Sequence, residues 1–411
     1  MLKRLLLLPF LAVLALASAQ TDPKKPLTAE DKAGVIKGMT KLITENAFVP
    51  GVDFSKWNDM LEKAKIDIDG SKTSDEFVFA VNTALRKFEF SHIVLLSPQA
   101  MEMRVRRSAV GIGVQILPQE KGGLLVTRVV PEAPAQVAGI LPGDILIEAD
   151  GKPIKGPEDL RGDEGSTVKV KAKRDSKDLT FTLVRKKFNS VIPEELTWFN
   201  PDTAVLKIPT FDISYSTKRV ETLMEEASKA KQLVLDLRGN GGGVVFNMLH
   251  LLSTLLPEDT EIGTFVNRRA ADNWVKAGND IKDVVGIANN VKSKLRTDDS
   301  KVGVFKGKIA VLLDGGSGSA SEIAGQALKE ILNSPVIGSK SAGAVLASVI
   351  APVYGGFNLQ YPIYDYVSIK GHRLEGNGIA PDSVAKTPLF LKVGEKDPGV
   401  ESALVLLSKG N

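Results

Sequence analysis

From Phe188 to the C-terminus, short apolar runs alternate with amphipathic stretches, and this alternation is what most narrows the folds open to the chain. Ala204-Val205-Leu206-Lys207-Ile208 precedes a helical pattern near Thr217–Ala230, and Gln232–Leu237 precedes one through Leu249, Leu251 and Leu252. Lys308–Asp314 leads into a helix from about Ala320 to Leu332, followed by Val336-Ile337-Gly338. Repeated strand–helix units argue for an α/β domain with a largely parallel sheet, whose reactive groups gather in loops between a strand and the next helix. Between Asn267 and Lys301 the sequence is polar and weakly patterned, which predicts a surface insertion with helical pieces. No internal repeat is evident.

The 411 residues leave room for more than this domain. From Thr28 to about Lys87 apolar residues recur at three and four, as in Val35, Met39, Leu42 and Ile43, which predicts a helical region interrupted at Pro50-Gly51. Between about Ser108 and Lys187 the pattern becomes short β-rich runs separated by turn residues, a compact β module. The start reads as a leader: Lys3-Arg4, an apolar run from Leu5 to Ala17, then Ala17-Ser18-Ala19 before polar residues. That is the order of a secretory signal peptide, with an uncleaved anchor as the alternative, the apolar run being short for a membrane span. The expected division is 1–19 signal peptide, 20–107 helical region, 108–187 β module and 188–411 α/β core. An exported protein works where nicotinamide cofactors, CoA and ATP are scarce, so no cofactor is expected.

Composition restricts the chemistry further. There is no cysteine, which excludes disulfides, thiol nucleophiles and thiolate metal sites. Three dispersed histidines offer no metal-ligand spacing, so no metal site is expected. A net charge of +4, with both signs interspersed, carries no footprint of a nucleic-acid binder.

Two glycine-rich loops stand out, Asp236-Leu237-Arg238-Gly239-Asn240-Gly241-Gly242-Gly243 and Asp314-Gly315-Gly316-Ser317-Gly318-Ser319-Ala320-Ser321-Glu322. Neither has the lysine of a phosphate-binding loop. The first can supply backbone N–H groups to an oxyanion. In the second, Ser319 stands where a strand turns into a helix, whose N-terminus favours a developing negative charge. The same residues also spell a capping box, S-x-x-E, so Ser319 reads either as a nucleophile or as a cap.

These loops, the β module and the closing Gly376-Asn377-Gly378-Ile379-Ala380-Pro381-Asp382 resemble the carboxyl-terminal processing peptidases and their tricorn-type relatives, over nearly all of the chain beyond Thr28. The module resembles a PDZ domain, with Leu141-Pro142-Gly143-Asp144-Ile145-Leu146-Ile147 its most specific stretch. Gly111-Ile112-Gly113-Val114 is similar to a carboxylate-binding loop with a strand edge beside it, a pairing that takes a peptide C-terminus as an added strand. The resemblance implies a Clp/crotonase-like core and makes the middle serine of S-x-S-x-S-E, Ser319, the nucleophile. Ala320 and one of Gly241 or Gly242 would then donate to the oxyanion.

One departure bears on mechanism. The Ser-Lys members of this family carry their base about 25 residues beyond the nucleophile, where this chain has Ala344; Lys340 is the nearest lysine. The Ser91-His92 pair is similar to the tricorn-type branch, and Glu375, in E-x-x-G-I-x-P-D, matches its acid. The expected unit is therefore Ser319 attacking, His92 as base, and Glu375 or Ser91 orienting the imidazole. His250 and His372 read as structural or solvent-facing. The function expected is an extracytoplasmic serine endopeptidase acting on polypeptides, with the module binding their C-termini; an oligomer is open. Alternatives are a catalytically inactive peptide-binding scaffold on the same fold and, against the leader and the module, a crotonase-like acyl-CoA enzyme.

Overall fold

The computed structural model describes residues 27–105, 108–120, 122–391 and 394–409. The leader at 1–19 lies outside the described residues. Among those described, no helix is long and apolar enough to cross a membrane.

Helices Ala29–Glu45, Trp57–Gly70 and Ser74–Leu85 form the N-terminal region. Thr28 starts the first, its Oγ1 accepting the N–H of Asp31 at 3.1 Å, and Thr73 starts the third, accepting from Glu76 at 3.2 Å. The stripe Val35, Met39 and Ile43 is fully buried against Trp57, Phe77, Val81 and Leu85. The same cluster takes in Leu95, Phe357 and Leu359, so the helices are packed on one strand that follows them directly and on others from the far end of the sequence.

Those strands belong to a five-stranded antiparallel sheet that the sequence patterns did not reveal. Its central strand Asn358–Ser368 pairs with Val94–Leu96, Glu261–Asn267 and Ala347–Pro352. The region 267–301 holds helices Arg268–Lys276 and Val284–Asn290 and the short strand Leu295–Arg296 that closes this sheet.

The α/β core is a six-stranded sheet in the order Glu195–Asn200, Thr203–Lys207, Gln232–Asp236, Lys308–Leu313, Val336–Gly338 and Ser383–Val384. Every pairing is parallel except the first. Its central strands are covered on both faces, which explains their unbroken apolar runs. Leu233, Leu235, Val311 and Leu313 join the cluster that contains Ile323 and Ala327 of helix Ala320–Leu332. Val234, Ala310, Leu312 and Ile337 face Val400, Ala403 and Leu407 of the C-terminal helix Pro398–Lys409.

The β module is built on strands Val114–Pro118, Leu124–Val129, Ile145–Ala149, Thr167–Arg174 and Lys177–Val184, in that order across the sheet. It leaves and rejoins the rest of the chain through a two-stranded neck, Ser108–Gly111 against Lys186–Asn189. Away from the neck, Phe390 lies against the module's Pro142-Gly143 turn, where a Cβ on Gly143 would come within 2.7 Å of its ring.

Candidate active site

Both glycine-rich loops leave the carboxyl ends of neighbouring parallel strands, Gln232–Asp236 and Lys308–Leu313, so the sheet brings them together. They are also tied to each other. Asp314 Oδ1 accepts the N–H of Gly239 at 2.9 Å, and Gly318 donates to the carbonyl of Asn240 at 3.0 Å. Ser317 Oγ, fully buried, donates to the carbonyl of Leu237 at 2.9 Å. Arg238 forks between Asp236 and Asp397, at 2.8 and 2.6 Å, and fastens the first loop to the start of the C-terminal helix.

Ser319 has φ +55° and ψ −120°, a conformation that costs a non-glycine residue about 1–3 kcal/mol. The surroundings hold it there. Its N–H donates to the carbonyl of Ala344 at 2.8 Å and to Glu322 Oε2 at 3.2 Å. The capping box is thus only half used: Glu322 reaches back to the Ser319 N–H, while the Glu322 N–H goes to the Ser319 carbonyl at 2.9 Å and not to its hydroxyl. Among the described residues Ser319 Oγ meets no hydrogen-bond partner, which leaves it to the cavity it borders.

Glu322 is a site residue that sequence reasoning saw only as half of a cap. Fully buried, it also accepts from Ser341 Oγ (2.6 Å), Gly343 N (2.7 Å) and Ala344 N (2.9 Å), clamping the 341–344 turn beneath Ser319. Burial pushes its carboxyl above the ordinary range against the pull of these hydrogen bonds. The glutamate in S-x-S-x-S-E was the available signal. The partners in the turn carried none.

The second half of the constellation comes from both ends of the sequence. Glu375 accepts the N–H of Ser91 at 2.8 Å and the Ser91 hydroxyl at 2.9 Å, and the N–H groups of Val345 and Leu346 at 2.7 and 3.3 Å. Ser91 Oγ is 2.6 Å from His92 Nδ1. A hydroxyl has one proton to give. With that proton on Glu375, Ser91 can only accept from His92, which fixes the imidazole as the Nδ1–H tautomer and leaves Nε2 as a lone pair. His92 itself sits at φ +60°. Burial lowers its pKa below the ordinary histidine value, Arg104 adds to that, and the Glu375 charge opposes it.

Ser91, His92, Ser319, Ala320, Gly241 and Ala344 all line one cavity of about 800 Å³. Ile93, Val244, Phe265, Ile323, Leu346 and Ile350 give it apolar walls. Of the two glycines expected to face an oxyanion, Gly242 is buried and its N–H donates to Asn240 Oδ1 at 2.9 Å, whereas Gly241 is exposed to the cavity. Gly242 has a steric role: a Cβ there would come within 2.6 Å of the Ser319 Cβ. Lys340 is exposed and does not line the cavity.

The other histidines lie elsewhere, His250 with Tyr215 (2.9 Å) and His372 with Glu330 (2.6 Å). Among the described residues no group of three His, Asp or Glu side chains could hold a metal ion. In the module, Ile112 is buried, its carbonyl accepting from Ala135 at 2.8 Å, and Gly113 has φ +78° at a position where a Cβ would also collide with Ala133. Strand Val114–Pro118 ends its sheet, so one edge is open beside Gly111–Gly113.

Residues 202–385 match the model of peptidase family S41, and residues 110–184 that of a PDZ domain. A "Probable CtpA-like serine protease" of Staphylococcus haemolyticus (strain JCSC1435) is 27% identical over 293 residues, covering 69% of this chain and 54% of that protein. One from Staphylococcus aureus (strain COL) is 25% identical over 317 residues, covering 73% and 59%. The chain thus spans less than two thirds of the length of these relatives. Among solved structures, the photosystem II D1 C-terminal processing protease is similar in fold, with 18% identity, 90% of this chain and 96% of that one covered, and a TM-score of 0.51. The tricorn protease gives 15% identity, 94% of this chain and 38% of that one, and a TM-score of 0.55. The region matching a PDZ domain thus precedes the region matching peptidase family S41, in the order of the β module and the α/β core. Over these two regions the chain is similar to peptidase family S41 and to PDZ domains.

Proposed function

We propose that this protein is an extracytoplasmic serine endopeptidase that hydrolyses polypeptides through an acyl-enzyme on Ser319. The observation that carries the reading is the hydrogen-bonded series Glu375–Ser91–His92, which ends in the cavity that Ser319 borders. His92 Nε2 takes the Ser319 proton as Oγ attacks the carbonyl carbon, and returns it to the leaving amine; water then repeats the cycle on the ester. Ser91 holds the tautomer, and Glu375 holds Ser91. Backbone N–H groups of Ala320, at the helix N-terminus, and of Gly241 stabilise the tetrahedral oxyanion, each such donor being worth about 10²–10³ in rate. The PDZ domain takes substrate C-termini on Gly111-Ile112-Gly113-Val114 and the open strand edge, and the leader directs export.

The test is cleavage of casein by wild type, Ser319→Ala, His92→Ala and Lys340→Ala, with fluorophosphonate labelling of the nucleophile. Loss of cleavage and label in Ser319→Ala, and of cleavage in His92→Ala but not Lys340→Ala, is expected. Cleavage by Ser319→Ala at the wild-type rate overturns the nucleophile. Loss in Lys340→Ala with retention in His92→Ala restores a lysine base. A properly folded wild type that neither cleaves nor labels leaves the scaffold reading.

A further inference from the structure

We infer that Arg104 is a specificity residue for a carboxylate on the leaving side of the scissile bond, carried by an acidic side chain or by a free C-terminus; this rests on the peptidase reading of the Ser319 site. Among the described residues that line the Ser319 cavity, only Arg104 and Asp212 carry a full charge at neutral pH. The two stand on different walls.

Arg104 comes from helix Pro98–Val105, which follows strand Val94–Leu96 and so the Ser91-His92 pair that precedes it. Met101, Arg104 and Val105, three and four apart, share one face of that helix, and all three line the cavity. Ser91, His92, Ile93 and Val94 continue the same wall. The guanidinium is exposed, and among the described residues it meets no acid within ion-pair distance. Its charge reaches His92, where it adds to the lowering of the imidazole pKa by burial.

Asp212 belongs to the opposite wall. Its neighbour Phe211 donates to the Gly242 carbonyl at 2.9 Å and accepts from Val244 at 2.7 Å, which sets Asp212 beside the loop that offers Gly241 to the oxyanion. One of its oxygens is taken by the Ser214 N–H at 2.6 Å. A second carboxylate brought to that wall meets like charge.

The chemistry assigns the walls to different parts of a substrate. Oxyanion donors face the carbonyl oxygen, whereas the base must reach the leaving nitrogen to return its proton, so the groups around His92 border the leaving segment. The first residues of that segment pass Arg104. An unpaired guanidinium there offers a carboxylate two parallel N–H donors and repels an ammonium. Cleavage is thereby directed to bonds followed within a few residues by an acid or by the end of the chain.

The experiment compares wild type, Arg104→Gln and Arg104→Glu at pH 8, where His92 is neutral in all three. In a short apolar peptide that the protein cleaves, with its C-terminus amidated, each residue beyond the cut is replaced in turn by Asp, Asn or Lys. A second set is shortened stepwise beyond the cut and ends as free acid or as amide. In wild type, Asp over Asn at one position, or acid over amide at one length, is expected to raise kcat/KM about three- to tenfold, and the gain shrinks as salt is added. The first set reports an acidic side chain, the second a chain end. Arg104→Gln should remove the gain, and Arg104→Glu should turn it into a preference for Lys. No preference in either set, one that survives Arg104→Glu, or one confined to residues before the cut overturns the assignment, while labelling at Ser319 leaves the nucleophile standing. Absence of both cleavage and labelling overturns the peptidase reading itself.

Discussion

Ser319 and Ala344 are joined by a backbone hydrogen bond of 2.8 Å, from the N–H of one to the carbonyl of the other. The position at which Ser-Lys carboxyl-terminal processing peptidases carry their base is therefore in contact with the proposed nucleophile even though its side chain is a methyl group. Ala344→Lys on its own should give little. In a His92→Ala background the same lysine should restore part of the lost peptide cleavage, with activity rising at alkaline pH as the amine deprotonates. A double variant as inactive as His92→Ala from pH 7 to 10 would show that the cavity cannot seat the amine.

Glu375→Gln separates charge from tautomer. Oε2 accepts from the N–H groups of Val345 and Leu346 as well as from the Ser91 hydroxyl, so a glutamine keeps its carbonyl oxygen there and turns its amide to the Ser91 N–H, donor against donor. Ser91 keeps an acceptor for its proton and His92 keeps the Nδ1–H tautomer, while the negative charge that favours the imidazolium is lost. Glu375→Ala also removes that acceptor and should cost more in kcat; a loss from Glu375→Ala no larger than that from Glu375→Gln would refute the relay.

His92 has a lowered pKa, so its neutral, proton-accepting form persists below the ordinary histidine value of 6.5. The acid limb of kcat/KM against pH should fall below 6.5 in the free enzyme. The stability consequence has the same sign. Below the unfolded value the unfolded chain binds the proton more readily than the folded one, so this contribution shrinks as pH falls from about 6.5 toward the folded pKa. Arg104→Gln, removing a nearby positive charge, should move the acid limb upward; movement downward would mean that Arg104 does not act on His92 through its charge.

Gly241 and Gly242 are adjacent and should respond oppositely to alanine. At Gly242 a Cβ meets Ser319 within 2.6 Å and the φ is +96°, so Gly242→Ala should destabilise by about 2–4 kcal/mol and abolish activity. At Gly241 a Cβ meets nothing within 4 Å, and Gly241→Ala should melt close to wild type. Thermal melting of the two variants decides this.

The βα units were legible because strands such as Gln232–Asp236 are buried on both faces and leave unbroken apolar runs, and because Ser319 and its glycines mark the start of helix Ala320–Leu332. The antiparallel sheet was not. Ala347–Pro352 is half-buried along most of its length, and its partner Asn358–Ser368 changes neighbours along its length, so neither shows a simple alternation. At the site, Ser319, Ser91, His92 and Glu375 were named through resemblance and a two-residue pairing. Glu322 works through backbone N–H groups of a distant turn, and Asn240 through the N–H of Gly242 in its own loop and the carbonyl of Ile208; hydrogen bonds to main chain leave no trace in the residue types they engage.

In the two-stranded neck, Ser108 stands opposite Asn189, so the chain departs and returns within about 5 Å. Seen from the α/β core, the whole PDZ domain occupies no more than the gap of a tight loop. Its removal or exchange therefore asks for a splice of a few residues, and an α/β core of this kind can gain, lose or trade its inserted module by a single local event without altering the order of its own strands.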